Sequence, residues 1–383
     1  MRLLTRAGTM LLACTLLTGL SGSTGSAAIA SVASVAASAP GLPIGGPALG
    51  TTGTVTAKGS RSLPVTVTAA SFVVADLDSG AVYAARNPHL HSLPASTLKT
   101  LTALVLLPQL DPATVLVASQ SDADVDGTRV GIVSGGRYTV EQLFQALLMM
   151  SGNDAAELLA RAKGSRAVTL EQMNAKAVEL RALDTHAITP SGLDGPGQSI
   201  SAYDLALINR ATMALPAFRR YIAIRRSTFG AAGGLHFAIE NKNRLFRAGY
   251  PGAIGIKDGF TDAAQHTFVG AATRGGHTYI VTLVRADRTY GVQAAALLDW
   301  AFALGPAARP VGELVDPVQP GAGGRPRPAP TAHLAAGGGP AWLRGRGTQV
   351  AALAAAASVL LATLVLARRG RLRKRRRLPL PSA

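Results

Sequence analysis

An α+β body built on one antiparallel sheet is what the sequence predicts, on three observations. Strand-like runs stand at both ends of the segment Ser71–Gly305: "SFVVADLDSGAVYAA" near its start, "HTFVGAAT" and "HTYIVTLVR" near its close. The stretch between them carries apolar residues at helical spacing. No internal repeat interrupts the segment, and its length suffices for a sizeable single core.

The elements follow in chain order. Arg2 and Arg6 precede the apolar run Met10–Leu20 and the small residues "SGSTGSAA", the plan of a secretory signal peptide cleaved near Ala27 or Ala28. Cys14 is the only cysteine, so the mature chain is expected to hold no disulfide. The stretch "LLAC" loosely resembles a lipoprotein box, although apolar residues continue past it, and lipidation of Cys14 stays open. Residues 29–70 open on an Ala/Ser/Gly/Pro/Thr-rich stretch and read as a flexible leader. Asp78-Ser79-Gly80 then joins two β-prone runs in a hairpin. Helical patterns occupy Ser96–Leu107, Val140–Met150, Asp154–Arg161, Leu170–Leu180 and Ala202–Met213, with a last helix over Tyr290–Phe302.

Residues 306–349, with "VQPGAGGRPRPAP" and "AAGGGP", read as a linker. Val350–Ala367 is free of charge and, at 1.5 Å per residue, would span about 27 Å, close to the hydrocarbon thickness of a bilayer. A basic tail follows at residues 368–383 and includes "RRGRLRKRRR". These flanks predict a transmembrane helix, a cytoplasmic tail and a body outside the cell membrane. They also account for the net charge of +17. Ser71–Gly305 holds 21 Lys+Arg against 19 Asp+Glu, a net of +2, which is not the footprint of a nucleic-acid binder.

Three short motifs could carry chemistry. In "LPASTLKTLTALVLLPQL", Ser96 lies near a helix start and Lys99 shares its face one turn on. Helix N-termini favour developing negative charge. A partly desolvated lysine has its charged form disfavoured and can serve as the base a serine lacks. In "LLMMSGNDAAELLA", the turn Ser151-Gly152-Asn153 separates two helices; it is either an ordinary capped connector or a source of a relay hydroxyl and a binding amide. In "GIKDGFTDAAQHTFVGAAT", Lys257 would bring a second positive charge that lowers the proton affinity of Lys99, and Gly259 permits close backbone approach.

Taken together, the motifs resemble the Ser-x-x-Lys, Ser-x-Asn and Lys-Thr-Gly boxes of the serine D-alanyl-D-alanine carboxypeptidases, the low-molecular-mass penicillin-binding proteins. "YTVEQLFQALLMMSGNDAAELLA", "TPSGLDGPGQSISAYDLA", "ENKNRLF" and "ALLDWAF" extend the likeness over roughly Ser71–Gly305. The resemblance implies a β-lactamase/transpeptidase-like fold, with a helix-covered sheet and a helical lobe flanking a cleft. It implies removal of the terminal D-Ala from peptidoglycan stem peptides without a cofactor, and acylation by β-lactam antibiotics. Ser96 would be the nucleophile, Lys99 its base and Ser151 a proton relay. Asn153 would hold the donor peptide, Lys257 would support the proton network and substrate binding, and the N–H groups of Ser96 and Phe260 would form an oxyanion hole.

The third box departs from that pattern, with Asp258 in the place usually taken by threonine, between Lys257 and Gly259. An ionised aspartate would repel the substrate's terminal carboxylate. Lys242, Arg288 and Thr261 are the residues expected to offset this, so Asp258 should lower efficiency without abolishing acylation. A transpeptidase or endopeptidase with these boxes, or a non-catalytic wall-binding or β-lactam-sensing protein, remains an alternative. A class A β-lactamase would need a Glu-x-x-Leu-Asn setting that the sequence lacks. His89 and His91 form an isolated His-x-His for which no metal role is expected, and "SDADVDG" lacks the calcium-loop spacing and reads as a solvated turn.

Overall fold

The structure is a computed structural model that describes residues 43–230 and 236–318. In chain order its strands are β1 (Thr54–Thr56), β2 (Ser71–Asp76), β3 (Ala81–Arg86), β4 (Val115–Val117), β5 (Arg137–Thr139), β6 (Arg226–Gly230), β7 (His236–Glu240), β8 (Ala253–Thr261), β9 (Gln265–Arg274), β10 (His277–Ala286) and β11 (Gly312–Glu313). Its α-helices are α1 (Lys99–Leu106), α2 (Gln120–Ala123), α3 (Val140–Gln145), α4 (Asn153–Arg161), α5 (Arg166–Glu179), α6 (Ala202–Met213), α7 (Pro216–Ala223), α8 (Arg244–Arg247) and α9 (Tyr290–Phe302).

The main sheet is antiparallel in the order β1-β3-β2-β10-β9-β8, with β11 also paired to β3. Its central strands are buried on both faces, which is why they read as apolar runs rather than alternating ones. Successive residues divide between two cores. Val73, Ala75, Val269, Ala271, Ile280 and Val284 pack with the helical lobe of α1, α4 and α6. Phe72, Val74, Phe268, Ala272, Val281 and Leu283 pack with Leu297, Leu298 and Trp300 of α9. The sheet is therefore a middle layer with helices on each side, and the expected α+β class with one principal antiparallel sheet is what the chain adopts. Gly275 and Gly276, both at positive φ, close the β9–β10 hairpin in the conformation that two-residue turns require.

Several expectations need correction. The stretch 43–70 is not a flexible leader: Leu49 is buried and β1 pairs with the edge of β3, Thr54 opposite Arg86. β1 has no fully buried side chain, only Val55 packing partly against the core, so its place rests largely on main-chain hydrogen bonding, which leaves no pattern in the sequence. The expected linker likewise begins too early, because β11 adds to β3 and Leu314 is buried. The helix expected from Ser96 starts as a 3-10 turn, Ala95–Leu98, and the one over Val140–Met150 ends in a π-helical turn, Ala146–Met150. The stretch "GIKDGFTDAAQHTFVGAAT" forms two paired strands, β8 and β9, which a short turn separates. The hairpin β6–β7 was not anticipated. The signal peptide, Cys14, the span Val350–Ala367 and the basic tail lie outside the described residues. Among the described residues, no helix is long and apolar enough to cross a membrane.

Candidate active site

Ser96 sits in the 3-10 turn that precedes α1, held between the helical lobe and strand β8. Pro94 O anchors the turn by accepting from Thr97 Oγ1 at 2.6 Å and from Thr267 Oγ1 of β9 at 2.8 Å. Ala95 adopts a left-handed φ of 46°, a strained conformation for a residue with a side chain. Two glycines make room for the turn. A Cβ on Gly192 would lie 1.9 Å from Ala95 O, and one on Gly259 would lie 2.6 Å from Ser96 N. Gly259 thus lets β8 pass directly beside the main chain of Ser96, the close approach its sequence position suggested.

All eight residues of α1 are buried, Lys99 among them at 0 % exposure. Its Nζ reaches Ser96 Oγ at 2.8 Å, Asn153 Oδ1 at 2.7 Å and Ser191 O at 2.7 Å. Burial, and after it the positive charge of Lys257, holds this amine well below the ordinary lysine range. Both of the other partners are carbonyl oxygens, which can only accept. They take the two N–H bonds of a neutral amine, and the lone pair is left facing the Ser96 hydroxyl. The arrangement can strip a proton from that hydroxyl.

Asn153 opens α4. Besides receiving Lys99, its side chain donates to Asp126 O at 2.6 Å, and its main-chain N–H donates to Thr128 O at 2.7 Å. Its amide oxygen thereby helps to orient Lys99. Asp154 next to it accepts from the N–H groups of Val130, Gly131 and Ile132 at 2.8–3.0 Å, and so fixes the loop that carries Asp126 and Thr128. Ser151 lies two residues before Asn153 in a left-handed conformation, φ 65°, and is 8 % exposed. The main chain of Lys242 joins the preceding turn, donating to Met149 O at 3.2 Å.

On β8, Lys257 is 2 % exposed, and its Nζ donates to Asp258 O at 2.6 Å and Asp258 Oδ1 at 3.2 Å. Burial lowers the Lys257 amine, with the Asp258 carboxylate opposing. Burial alone would raise Asp258, but the Lys257 ammonium outweighs it and keeps the carboxyl below its usual range. Thr261 donates its hydroxyl proton to Asp194 Oδ1 at 3.0 Å, so that donor is already engaged. Phe260 is half exposed, its ring tilted against His266 at 4.6 Å between centroids. Arg288 lines two open cavities, one of about 590 Å³ with Arg244 and Val292 and another with Phe260 and His266.

Sequence reasoning missed three contributors. Ser191 and Asp126 act through main-chain carbonyls, which no side-chain motif announces; only "TPSGLDG" marked the first of them. Asp154 was passed over as a helix residue. The stretch "SDADVDG" is not simply a solvated turn either: Asp122 is buried and ion-paired with Arg161, and Asp126 supports Asn153. The isolated His-x-His gains acidic company in the fold, since ligand-type atoms of His89, Asp184 and Asp204 lie within 4.8 Å of one another. The two ring nitrogens of His89 already pair with Asp184 Oδ2 and Ile44 O, which makes this an internally satisfied polar cluster.

Comparison with known proteins meets this geometry. Residues 56–288 match the family described as D-alanyl-D-alanine carboxypeptidase. The chain is 46% identical over 247 residues to D-alanyl-D-alanine carboxypeptidase DacB2 of Mycobacterium tuberculosis, a match spanning 63% of this chain and 84% of that protein. The crystal structure of a D-alanyl-D-alanine carboxypeptidase from Mycobacterium tuberculosis H37Rv aligns with a TM-score of 0.64 at 45% identity, covering 68% of this chain and 99% of that one. The Streptomyces K15 DD-transpeptidase aligns with a TM-score of 0.60 at 27% identity, covering 64% and 100% of the two chains. A serine beside a buried, proton-poor lysine is what such an enzyme needs, and the chain belongs to the D-alanyl-D-alanine carboxypeptidase family of serine peptidases.

Proposed function

We propose that Ser96 is the acylated nucleophile of a membrane-tethered carboxypeptidase that trims the terminal D-Ala from peptidoglycan stem peptides. The observation that carries this reading is the hydrogen-bond set of Lys99. With Asn153 Oδ1 and Ser191 O taking its two N–H bonds, the amine has one direction left, and Ser96 Oγ lies along it at 2.8 Å. Lys99 removes the hydroxyl proton as Oγ attacks the penultimate carbonyl. The Ser96 N–H, beside Gly259, and the N–H of Phe260 are the proposed donors to the oxyanion, each worth about 3 kcal/mol of barrier. The proton returns to the amine of the departing D-alanine, with Ser151 as the proposed relay, and water then releases the acyl group. β-Lactams would acylate Ser96 by the same attack. The uncharged run Val350–Ala367 and the basic tail after it support anchoring in the cell membrane with the body outside.

Mass spectrometry after incubation with a labelled penicillin and, separately, a D-Ala-D-Ala pentapeptide tests the reading. An adduct on the Ser96 peptide and loss of one alanine are expected, both absent in Ser96→Ala. An adduct or peptide turnover that survives in Ser96→Ala at full strength would refute it. An adduct with no turnover would favour a β-lactam sensor, the reading to which Asp258 lends most support.

A further inference from the structure

Lys257 is a buried cation whose partners are supplied by the residue that follows it. Nζ bonds both the main-chain and a carboxylate oxygen of Asp258, at 2.6 Å and 3.2 Å. The other carboxylate oxygen of Asp258 meets the Tyr290 hydroxyl at 3.5 Å, and the Tyr290 oxygen accepts from Arg244 Nε at 3.2 Å. Lys242 adds positive charge that reaches both Lys257 and Asp258. This cluster stands on the strand that passes the nucleophile, one residue from Gly259. In a stem peptide ending in D-Ala-D-Ala, the free anion nearest the scissile bond is the terminal carboxylate, only one residue away. The cations nearest the nucleophile are therefore the ones that carboxylate would seek, and an internal carboxylate already satisfies Lys257.

We propose that Asp258 stands in for the substrate's terminal carboxylate at Lys257, so that the enzyme also hydrolyses D-alanyl bonds whose leaving residue has no free carboxylate. This rests on the reading that Ser96 is acylated. Ser96 Oγ forms an ester to the penultimate D-alanyl carbonyl carbon while the C–N bond breaks. The serine proton passes through Lys99 to the departing amine, which leaves as D-alaninamide, and water hydrolyses the ester. A peptide with a free carboxylate must either displace Asp258 from Lys257 or bind beside a like charge. An amide-terminated peptide meets neither obstacle, because the positive charge of Lys257 is matched without it.

The test compares kcat/KM for an N-acyl-D-Ala-D-Ala peptide and for its C-terminal amide, using the full chain and the variants Asp258→Thr and Asp258→Asn. The wild type is expected to use the amide at least as well as the acid, since only the acid must displace Asp258 or bind beside its charge. Either variant removes the carboxylate charge that matches Lys257, and the acid-to-amide ratio should rise by about tenfold or more, the scale of one charge-assisted hydrogen bond. Asp258→Asn keeps the shape of the side chain and decides the matter if the threonine variant folds poorly. An unchanged ratio in the variants, or a wild type that already prefers the acid by about a hundredfold, overturns the proposal. Failure of the underlying reading looks different: a wild type that neither traps penicillin nor cleaves either peptide removes Ser96 acylation and this inference with it.

Discussion

At the scale of single residues, the proposed mechanism makes the reactivity of Ser96 depend on the charge state of Lys99. Burial is the larger cause of its low proton affinity and Lys257 the second. Acylation should therefore rise with pH through the depressed pKa of Lys99 and level off well before the ordinary lysine range. Lys257→Met removes the neighbouring cation. That raises the proton affinity of Lys99 and moves the acid limb of the acylation profile to higher pH, with roughly a tenfold loss for each unit moved at any pH on that limb. Second-order penicillin acylation rates measured across pH would check this, and a limb that stays in place would show that Lys257 does not act on Lys99 through its charge. Residue types and spacings were enough to single out Ser96, Lys99, Ser151, Asn153 and Lys257. They could not say that the Asn153 amide oxygen turns inward to Lys99, or that Thr261 is held by Asp194, because those outcomes depend on partners far along the chain.

Among the elements, the 3-10 turn that carries Ser96 is the most constrained. It combines a left-handed Ala95, an anchor on Pro94 O and direct contact with the loop containing Gly192. Gly192 has φ +84° as well as the close approach to Ala95 O, so a side chain there is strained twice over. Gly192→Ala should cost at least about 2 kcal/mol and lower Tm by roughly 4–8 °C for a body of this size. Its acylation rate should also fall at temperatures where the variant is fully folded, because the shift falls on the residue before Ser96. Urea melts paired with penicillin trapping would separate the two effects; an unaltered melt would mean the loop yields freely. The longer helices were legible because burial on one face imprints a period on them, and the central strands because burial on both faces makes them continuous apolar runs. β1 and β11 were not, since edge strands of two or three residues are held by main-chain bonds, and neither was the largely exposed hairpin β6–β7.

For the molecule as a whole, segments distant in sequence are gathered at a polar cluster that begins at His89, seven residues before Ser96. His89 bonds Asp184 Oδ2 at 2.8 Å and Ile44 O at 3.1 Å, and His91 reaches Asp184 Oδ1 at 3.2 Å. Asp204 of α6 accepts from the Asp184 N–H at 2.8 Å and from Thr185 Oγ1 at 2.7 Å. Tyr203 beside it donates to Glu313 O at 2.7 Å, tying in the last strand. Burial and the nearby Asp184 charge push the Asp204 carboxyl up to about 7, with the hydrogen bond from Thr185 opposing. An aspartate in the unfolded chain ionises near pH 4. Between those values the folded chain keeps a proton that the unfolded chain has lost, so Asp204 makes stability fall as pH climbs from about 4 to 7 and adds no further slope above that. Asp204→Asn keeps an oxygen to accept both hydrogen bonds and removes the titration. Relative to the wild type, its unfolding free energy should gain up to about 4 kcal/mol between pH 4 and pH 8, at roughly 1.4 kcal/mol per unit. Denaturant titrations of both chains across that range measure the difference directly. Parallel curves would mean that Asp204 is ionised in the folded state throughout, with its charge balanced by His89 and His91.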